Sequence, residues 1–396
     1  MKNMAKTLAT ALLAPLMAGA SVWSGGNGNW SSDGTPGWNG TGVPDGQGAV
    51  AEFTTSGTTT VDDPGGVTVG VISYMLPGGA DRAFAGGGNP YPIILDYDGS
   101  GPGMAVISNS TASRLIFNNT FSTSGVYAYD DLKLVNSGAG AGSYSISFTT
   151  ILRASGNVYI DNISTTPLVA PVYFQGTQNT FGGNIHVLRG TVSSQGASIG
   201  NANNTVFLGS AGNGAASLIA TASASTFANP FVISAGTGGE IILGASYTGS
   251  GQTRFSGALT LEGDLSVSSL HSSPGLVRLE GVIGVFGALT KIGAGDVRLE
   301  KANTYTGGTI IAEGALIAAN ASALGTGPLD IKEGAVLQLD ASVAVDSLFL
   351  NGKPQPPGTF GATDSGAQHV NDECFTGHGV LTALNGVPVG TLLFLK

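Results

Sequence analysis

The sequence predicts an all-β protein wound as a β-solenoid, and three observations predict it. The first is composition: 64 of the 396 residues are glycine and only 10 % are charged, against roughly 25 % charged in ordinary globular chains, a balance that favours turns over helices. The second is the stretch from Gly287 to Asn320. There Val297 and Leu299 alternate with Arg298 and Glu300, the period-2 pattern of a strand with one buried face, and glycines punctuate the strands. The third is recurrence. Ile310 and Leu329, Leu329 and Leu348, and Val297 and Leu316 stand at one identical interval, and Leu316 and Leu337 at an interval two positions longer. A chain that returns its apolar residues to one face every roughly 20 residues is coiling, each coil burying that face against the next.

The motif residues of this stretch are Leu289, Thr290, Lys291, Gly293, Gly295, Val297 and Leu299. They are followed by Asn303 to Thr309, with Tyr305, Gly307 and Gly308 inside that run, and then by Gly314 and Leu316. They follow the pattern LTK-x-G-x-G-x-L-x-L, then NTYTGGT, then G-x-L. In this the segment resembles the autotransporter-associated β-strand repeat, departing mainly in Val297 where Leu is usual. The resemblance implies a right-handed parallel β-helix, pectin-lyase-like, of the kind found in secreted bacterial passengers, with the motif residues serving structure.

The N-terminus reads as an export signal. Lys2 and Lys6 precede the apolar run Leu8 to Met17, and Ala18-Gly19-Ala20 supplies the small residues of a cleavage site. Residues 1–20 are thus expected to be a signal peptide and Ser21 the first mature residue. No later stretch reaches the roughly 18 apolar residues of a spanning helix. The product is expected to be extracellular or on the cell surface, with the periplasm as alternative.

Residues 21–53 hold all three tryptophans, Trp23, Trp30 and Trp38, among Gly, Asn and Ser, and resemble the entry segment often found ahead of these repeats. Two readings compete. A solenoid must cover the apolar end of its first coil, which large aromatics do; alternatively the three rings are a glycan contact. Capping is the preferred reading.

From Thr54 the solenoid is expected to run to residue 383, with residues 384–396 as a tail. Val67 to Ile72, Ile93 to Leu95, Arg114 to Phe117, Leu132 to Val135, Ile146 to Phe148 and Val158 to Ile160 are its early strands. This half is less regular, and a wider or partly open sandwich is the alternative there. A diverged copy lies at residues 177–200: Asn179-Thr180-Phe181 and Gly190 parallel Asn303-Thr304-Tyr305 and Gly314 at a constant offset, with Val192 and Ile199 in the places of Leu316 and Leu324. Leu348 to Gly352, Pro357 to Gly361 and Gly377 to Leu381 resemble the family's terminal motif. The segment from Leu381 to Lys396 that follows is too short to form a membrane β-barrel.

The chemistry search excludes more than it finds. A net charge of −10 without a basic cluster argues against nucleic acid, whose phosphates need grouped Lys and Arg. His369, Asp372, Glu373, Cys374 and His378 are ligand types near one another, but their spacing matches no standard zinc pattern. As the only cysteine, Cys374 is expected to be a small buried filler, with a dimer through it as the lesser option. Asp96 and Asp98 open a sequence like a calcium loop, which fails at its twelfth position, Ile107, where a Glu is required. The pairs Asp62-Asp63 and Asp130-Asp131 would serve glycoside cleavage only by combining across coils. No cofactor or metal is expected.

The function this predicts is a noncatalytic structural or adhesive protein, with cell-surface glycans or other matrix proteins as expected partners. The alternatives are a carbohydrate-active enzyme on the same scaffold and a noncatalytic glycan-binding module.

Overall fold

A computed structural model describes residues 20–31, 37–39, 42–76, 80–86, 91–98, 103–118, 125–138, 145–163, 171–175, 179–196 and 199–386. The expected signal peptide except Ala20, positions 387–396 of the tail, residues 99–102 of the calcium-like loop and residues 177–178 and 197–198 of the diverged copy lie outside them.

Between the two ends of the molecule, each strand turns a corner and pairs in parallel with the strand one coil away. Val50–Phe53, Gly57–Thr60 and Val67–Val69 form one coil, and Val71–Tyr74, Arg82–Ala85 and Ile93–Leu95 the next. They stack in parallel, with Val50 opposite Val71, Thr59 opposite Phe84 and Val67 opposite Ile93. The result is a three-faced parallel β-helix. The expected strand Val67 to Ile72 is corrected to two strands on different faces. Gly70 makes the corner between them, where a Cβ would lie 2.7 Å from the Gly48 Cα.

The second face runs to Leu348–Leu350. The third consists of two successive sheets, the first ending at Thr180–Phe181 and the second starting at Ala224–Phe227. The early half is the same helix with longer coils rather than an open sandwich. Ser73 and Ser108, stacked on the first face, are 35 positions apart, and Asn136 and Asn162 on the same face are 26 apart. Later the coil tightens further, with Leu289 stacked on Thr309 and Thr309 on Leu329.

Three of the four expected pairings hold: Leu329 with Leu348, Val297 with Leu316, and Leu316 with Leu337. The fourth is off by one position. Ile310 faces outward opposite Asp330, and Thr309 is the residue stacked on Leu329. Thr309 is tolerated inside because its hydroxyl is satisfied, by the Tyr305 hydroxyl at 2.6 Å and the Leu324 carbonyl at 3.3 Å.

Identical side chains pile up inside, as coil stacking requires. Phe84, Phe117, Phe148 and Phe174 stand in register on the second face, with ring centroids 5.1, 4.8 and 5.6 Å apart. Asn109, Asn136 and Asn162 form a buried polar ladder on the first, where the Asn136 amide donates to Asn162 Oδ1 at 2.8 Å. Outside, Arg254, Arg278 and Arg298 also stack in register. Glu280 and Glu300 interleave with them, bridging Arg254 to Arg278 and Arg278 to Arg298, and thereby offset the like-charge repulsion.

The tryptophans lie at the start of the phenylalanine stack. Trp38 contacts Phe53 at 5.1 Å between centroids, and Phe53 contacts Phe84 at 4.9 Å. Arg82 is buried among them, 4.7 Å from the Phe53 ring centre, with Nη1 donating to the carbonyls of Gly26, Thr55 and Ser56. Burial pushes its pKa down to about 10. Trp38–Asn39 pairs antiparallel with the first strand, Ser21–Trp23. Antiparallel pairings also occur near the far end, at Lys353–Pro354 and at Gly358–Gly361.

Candidate functional site

The repeat residues from Leu289 to Leu316 are brought together, but as coil machinery. Leu289, Val297, Leu299 and Leu316 are fully buried. Gly314 has φ +64°, a left-handed corner that favours glycine, and a Cβ on Gly295 would lie 2.4 Å from the His271 carbonyl oxygen. The polar members are inside as well. Asn303 accepts from Ile283 N–H at 2.9 Å and donates to the Ala323 carbonyl at 2.7 Å, tying three coils together. The Tyr305 hydroxyl, raised in pKa by complete burial, meets Thr309. Lys291 is buried and donates to the carbonyls of Ile292, Gly293 and Glu313 at 3.0, 2.6 and 2.9 Å.

Losing both Asn303 bonds leaves a buried N–H and a buried carbonyl unpaired. Asn303→Ala is expected to cost about 2 kcal/mol, whereas Thr304→Ala, at an exposed position, costs almost nothing. Urea melts of the two variants make the comparison.

The diverged copy repeats this chemistry one face out of phase. Asn179 accepts from Leu152 N–H at 2.8 Å and Phe181 is buried, as Asn303 and Tyr305 do and are. Yet Thr180–Phe181 stacks on the third face, whereas Thr304 and Thr306 bond to Ile283 and Val285 on the first. The echo is therefore a coil that begins a third of a turn away.

The other candidates separate. Trp23, Trp30 and Trp38 are 0, 0 and 1 % exposed, and their ring nitrogens donate to the carbonyls of Gly26, Pro44 and Trp30. The glycan contact considered for them is corrected, because no ring face is open. Asp62 bonds Ser31, Asp63 bonds Gly65, Asp130 bonds Tyr97 N–H and Asp131 bonds Asn157 N–H. Asp96 accepts from Gln47. Among the described residues no three His, Cys, Asp or Glu side chains gather as a metal site. His369 stacks on Phe360, and Asp372 accepts from Thr363 N–H. Cys374 is half-buried against the core rather than a fully buried filler, its thiol pKa raised by burial and secondarily by Glu373.

One groove emerges that the sequence did not announce. Where the chain leaves the third face, Tyr129 N–H bonds the Leu95 carbonyl, Ser155 the Ala128 carbonyl and Gly182 the Ala154 carbonyl, at 2.9, 2.8 and 2.8 Å. These bonds align Tyr129, Ser155 and Gly182 on successive coils. Side-chain size falls along that column from Tyr to Ser to nothing, which leaves a step beside Tyr129, itself 57 % exposed. In the adjoining column Tyr127 stands opposite Arg153 and Arg153 opposite Thr180. Arg153 lies 4.9 Å from the Tyr127 ring centre and donates to its hydroxyl at 2.7 Å. With Phe181 and Asn201 these residues enclose about 300 Å³. The only signal for it in the sequence is the spacing of Tyr127 and Arg153, one coil apart but obscured by unequal coil lengths.

A second groove, of about 480 Å³, lies at the corner between the first and second faces and is lined by Glu240, Glu262 and Asp264 with Thr237, Ser266 and Thr290. Glu240 accepts from the Ser266 hydroxyl and Asp264 from Ala288 N–H.

Residues 289–318 match the family model of the passenger-associated-transport-repeat. This is an autotransporter passenger-like repeat protein. The matched segment begins at the inward Leu289 and ends with the buried Ala318; since Leu289 stacks on Thr309 and Leu299 on Ala318, it spans about one and a half coils. Over 159 residues, 38 % of its length, the passenger-like chain is 30 % identical to a protein described as "Adhesin BmaC autotransporter" from Brucella suis biovar 1 (strain 1330). That alignment spans 4 % of the adhesin. No solved structure matches the passenger-like chain.

Proposed function

We propose that the chain is an exported, cell-surface β-helix with an adhesive and structural role and no catalysis. The observation that carries this reading is the use made of the repeat's polar groups. Lys291, Asn303 and Tyr305 are all consumed in bonds within and between coils, which makes the motif a device for extending a scaffold. The aligned relative, described as an adhesin, supports the same role, and binding would then fall to the outward face of the coils. Partners are cell-surface glycans or other matrix proteins.

Export carries a direct expectation: the protein recovered outside the cytoplasm begins at Ser21, after the small residues Ala18 and Ala20. Intact-mass measurement checks it, and a retained Met1 would defeat the export reading.

The enzyme alternative has one observation in its favour, the gathering of Glu240, Glu262 and Asp264 around the larger groove, since glycoside cleavage needs a pair of carboxylates. The adhesive reading expects the chain to bind surface glycans or matrix proteins and to leave every polysaccharide of a mixed panel uncleaved. Cleavage by the wild type that disappears in Glu262→Gln would transfer the function to the enzyme.

A further inference from the structure

At the corner between the second and third faces, residues 246–251 join Ile241–Ala245 to Gln252–Phe255, and one coil on residues 270–275 join Leu265–Ser269 to Leu276–Leu279. His271 lies in the second of these joints. It is 3 % exposed, and the Tyr247 ring centre is 6.0 Å from its own. Both ring nitrogens bond to the coil before. Nδ1 lies 3.2 Å from the Gly249 carbonyl, and Nε2 lies 3.1 Å from the hydroxyl of Thr253, which is 0 % exposed. A carbonyl can only accept, so Nδ1 carries the proton and Nε2 accepts from Thr253. The site thus fits the neutral ring in one tautomer.

We propose that His271 is an acid-operated latch: on taking up a second proton, the ring releases the strap of residues 246–251, which lifts and opens this corner of the β-helix to water. The latch stands whatever the chain binds. It is supported first by how lightly the strap is held. Its ends are pinned, by Ser246 N–H to the Ala220 carbonyl at 2.9 Å and by Leu276 N–H to the Gly251 carbonyl at 3.1 Å. Between them, the hydrogen bonds of residues 247–250 to the described residues all fall on the Gly249 carbonyl, which takes His271 and, at 3.2 Å, Ser272 N–H. A segment tied at so few atoms opens at small cost.

The second support is that the imidazolium has no place here. Its Nε2–H would turn to the Thr253 oxygen, and the Thr253 hydroxyl proton would then lack an acceptor, since His271 is its one partner among the described residues. The charge would lack a counter-ion as well. Of the ionisable groups on the elements packed around the corner, Arg254 and Arg278 share Glu280 on the outward face, Lys291 is itself a cation bound to carbonyls, Asp296 acts on Lys291, and Tyr247 meets the site with its ring. Burial accordingly holds the His271 pKa below its ordinary value, with the Gly249 carbonyl pulling it weakly upward. A histidine freed by opening takes up its proton near pH 6.5. The closed strap therefore keeps its full stability above that pH and loses it progressively as pH falls from there toward the closed-state value.

Hydrogen exchange of the full exported chain between pH 7 and pH 5 tests the latch, read as protection factors that remove the intrinsic pH dependence of exchange. Ser272 N–H is expected to lose protection about tenfold over that range, because each pH unit below the open-state pKa shifts the opening equilibrium by up to about tenfold. Leu329 N–H, bonded to the Ser347 carbonyl at 2.9 Å farther along the second face, should keep its protection. His271→Gln cannot take up the charge and should show equal Ser272 protection at both ends of the range. Should that variant fail to fold, wild-type protein isotopically labelled at its histidine ring nitrogens decides. The neutral His271 ring should carry its proton on Nδ1, and the imidazolium should form in step with the loss of Ser272 protection.

Constant Ser272 protection in the wild type would overturn the proposal. So would the same acid loss in His271→Gln, a proton on Nε2 of the neutral ring, or a loss shared equally by Leu329, which would mean that the whole β-helix unfolds rather than one strap.

Discussion

Leu337→Asp is expected to cost the fold on the order of 4 kcal/mol, and Gln338→Asp, at the next position, no more than about 1 kcal/mol. Leu337 is fully buried between Leu316 and Phe375 on the third face. A carboxylate there has no partner, and it either stays charged at great cost or takes up a proton and remains an unpaired polar group, with the leucine packing lost in both cases. Gln338 points the other way, donating to Asp340 at 2.8 Å while Arg298 pairs with that same carboxylate. Its replacement gives up one exposed hydrogen bond and adds a like charge that Arg298 partly offsets. Denaturant melts compare the variants. If Gln338→Asp were the damaging change, the inward and outward parity of the strand would be reversed.

Lys291→Met is expected to be the second large loss, on the order of 3 kcal/mol. The methionine fills the stem but takes the donor away from three carbonyls at a partly buried corner. The same lysine gives a pH signature. Burial pushes its pKa down to about 8, with Asp296 and Glu313 pulling weakly upward, against about 10.4 in an unfolded chain. Between those values the unfolded state holds more protons, so this group makes the fold more stable as pH rises from about 8 to about 10, by on the order of 1–2 kcal/mol. Below pH 8 its contribution is flat. Lys291→Met should lack the rise. Equal slopes in the two proteins across that window would show that the folded ammonium is not perturbed. The expectations are compatible, because the charge is costly to bury and the carbonyls are costlier to strand.

The fold was legible because coil stacking repeats the same physical demand at a nearly constant interval in the regular half, as the pairs Val297 with Leu316 and Leu316 with Leu337 illustrate. Hydrophobicity alone misjudged Ile310, since the neighbouring Thr309 can go inward once Tyr305 satisfies its hydroxyl. The same blindness hid the burial of Lys291 and of the asparagine ladder. Polar residues read as surface until the backbone groups they satisfy are placed. The Tyr129 groove was illegible for another reason. It depends on which residues fall above one another when the circuit from Arg153 to Thr180 is one position longer than that from Tyr127 to Arg153, and in that half the corner loops vary too much to reveal the alignment.

Coil length sets how far this protein reaches. Each circuit advances the stack by about 4.8 Å however much chain it consumes. Where Leu289, Thr309 and Leu329 succeed one another on the second face, the chain gains about 0.24 Å of height per residue. Across the longer circuit from Val71 to Val106 it gains about 0.14 Å. The tight coils are thus a stalk that converts sequence into distance, while the generous ones spend the same material on girth and on the uneven relief in which the Tyr129 step is cut.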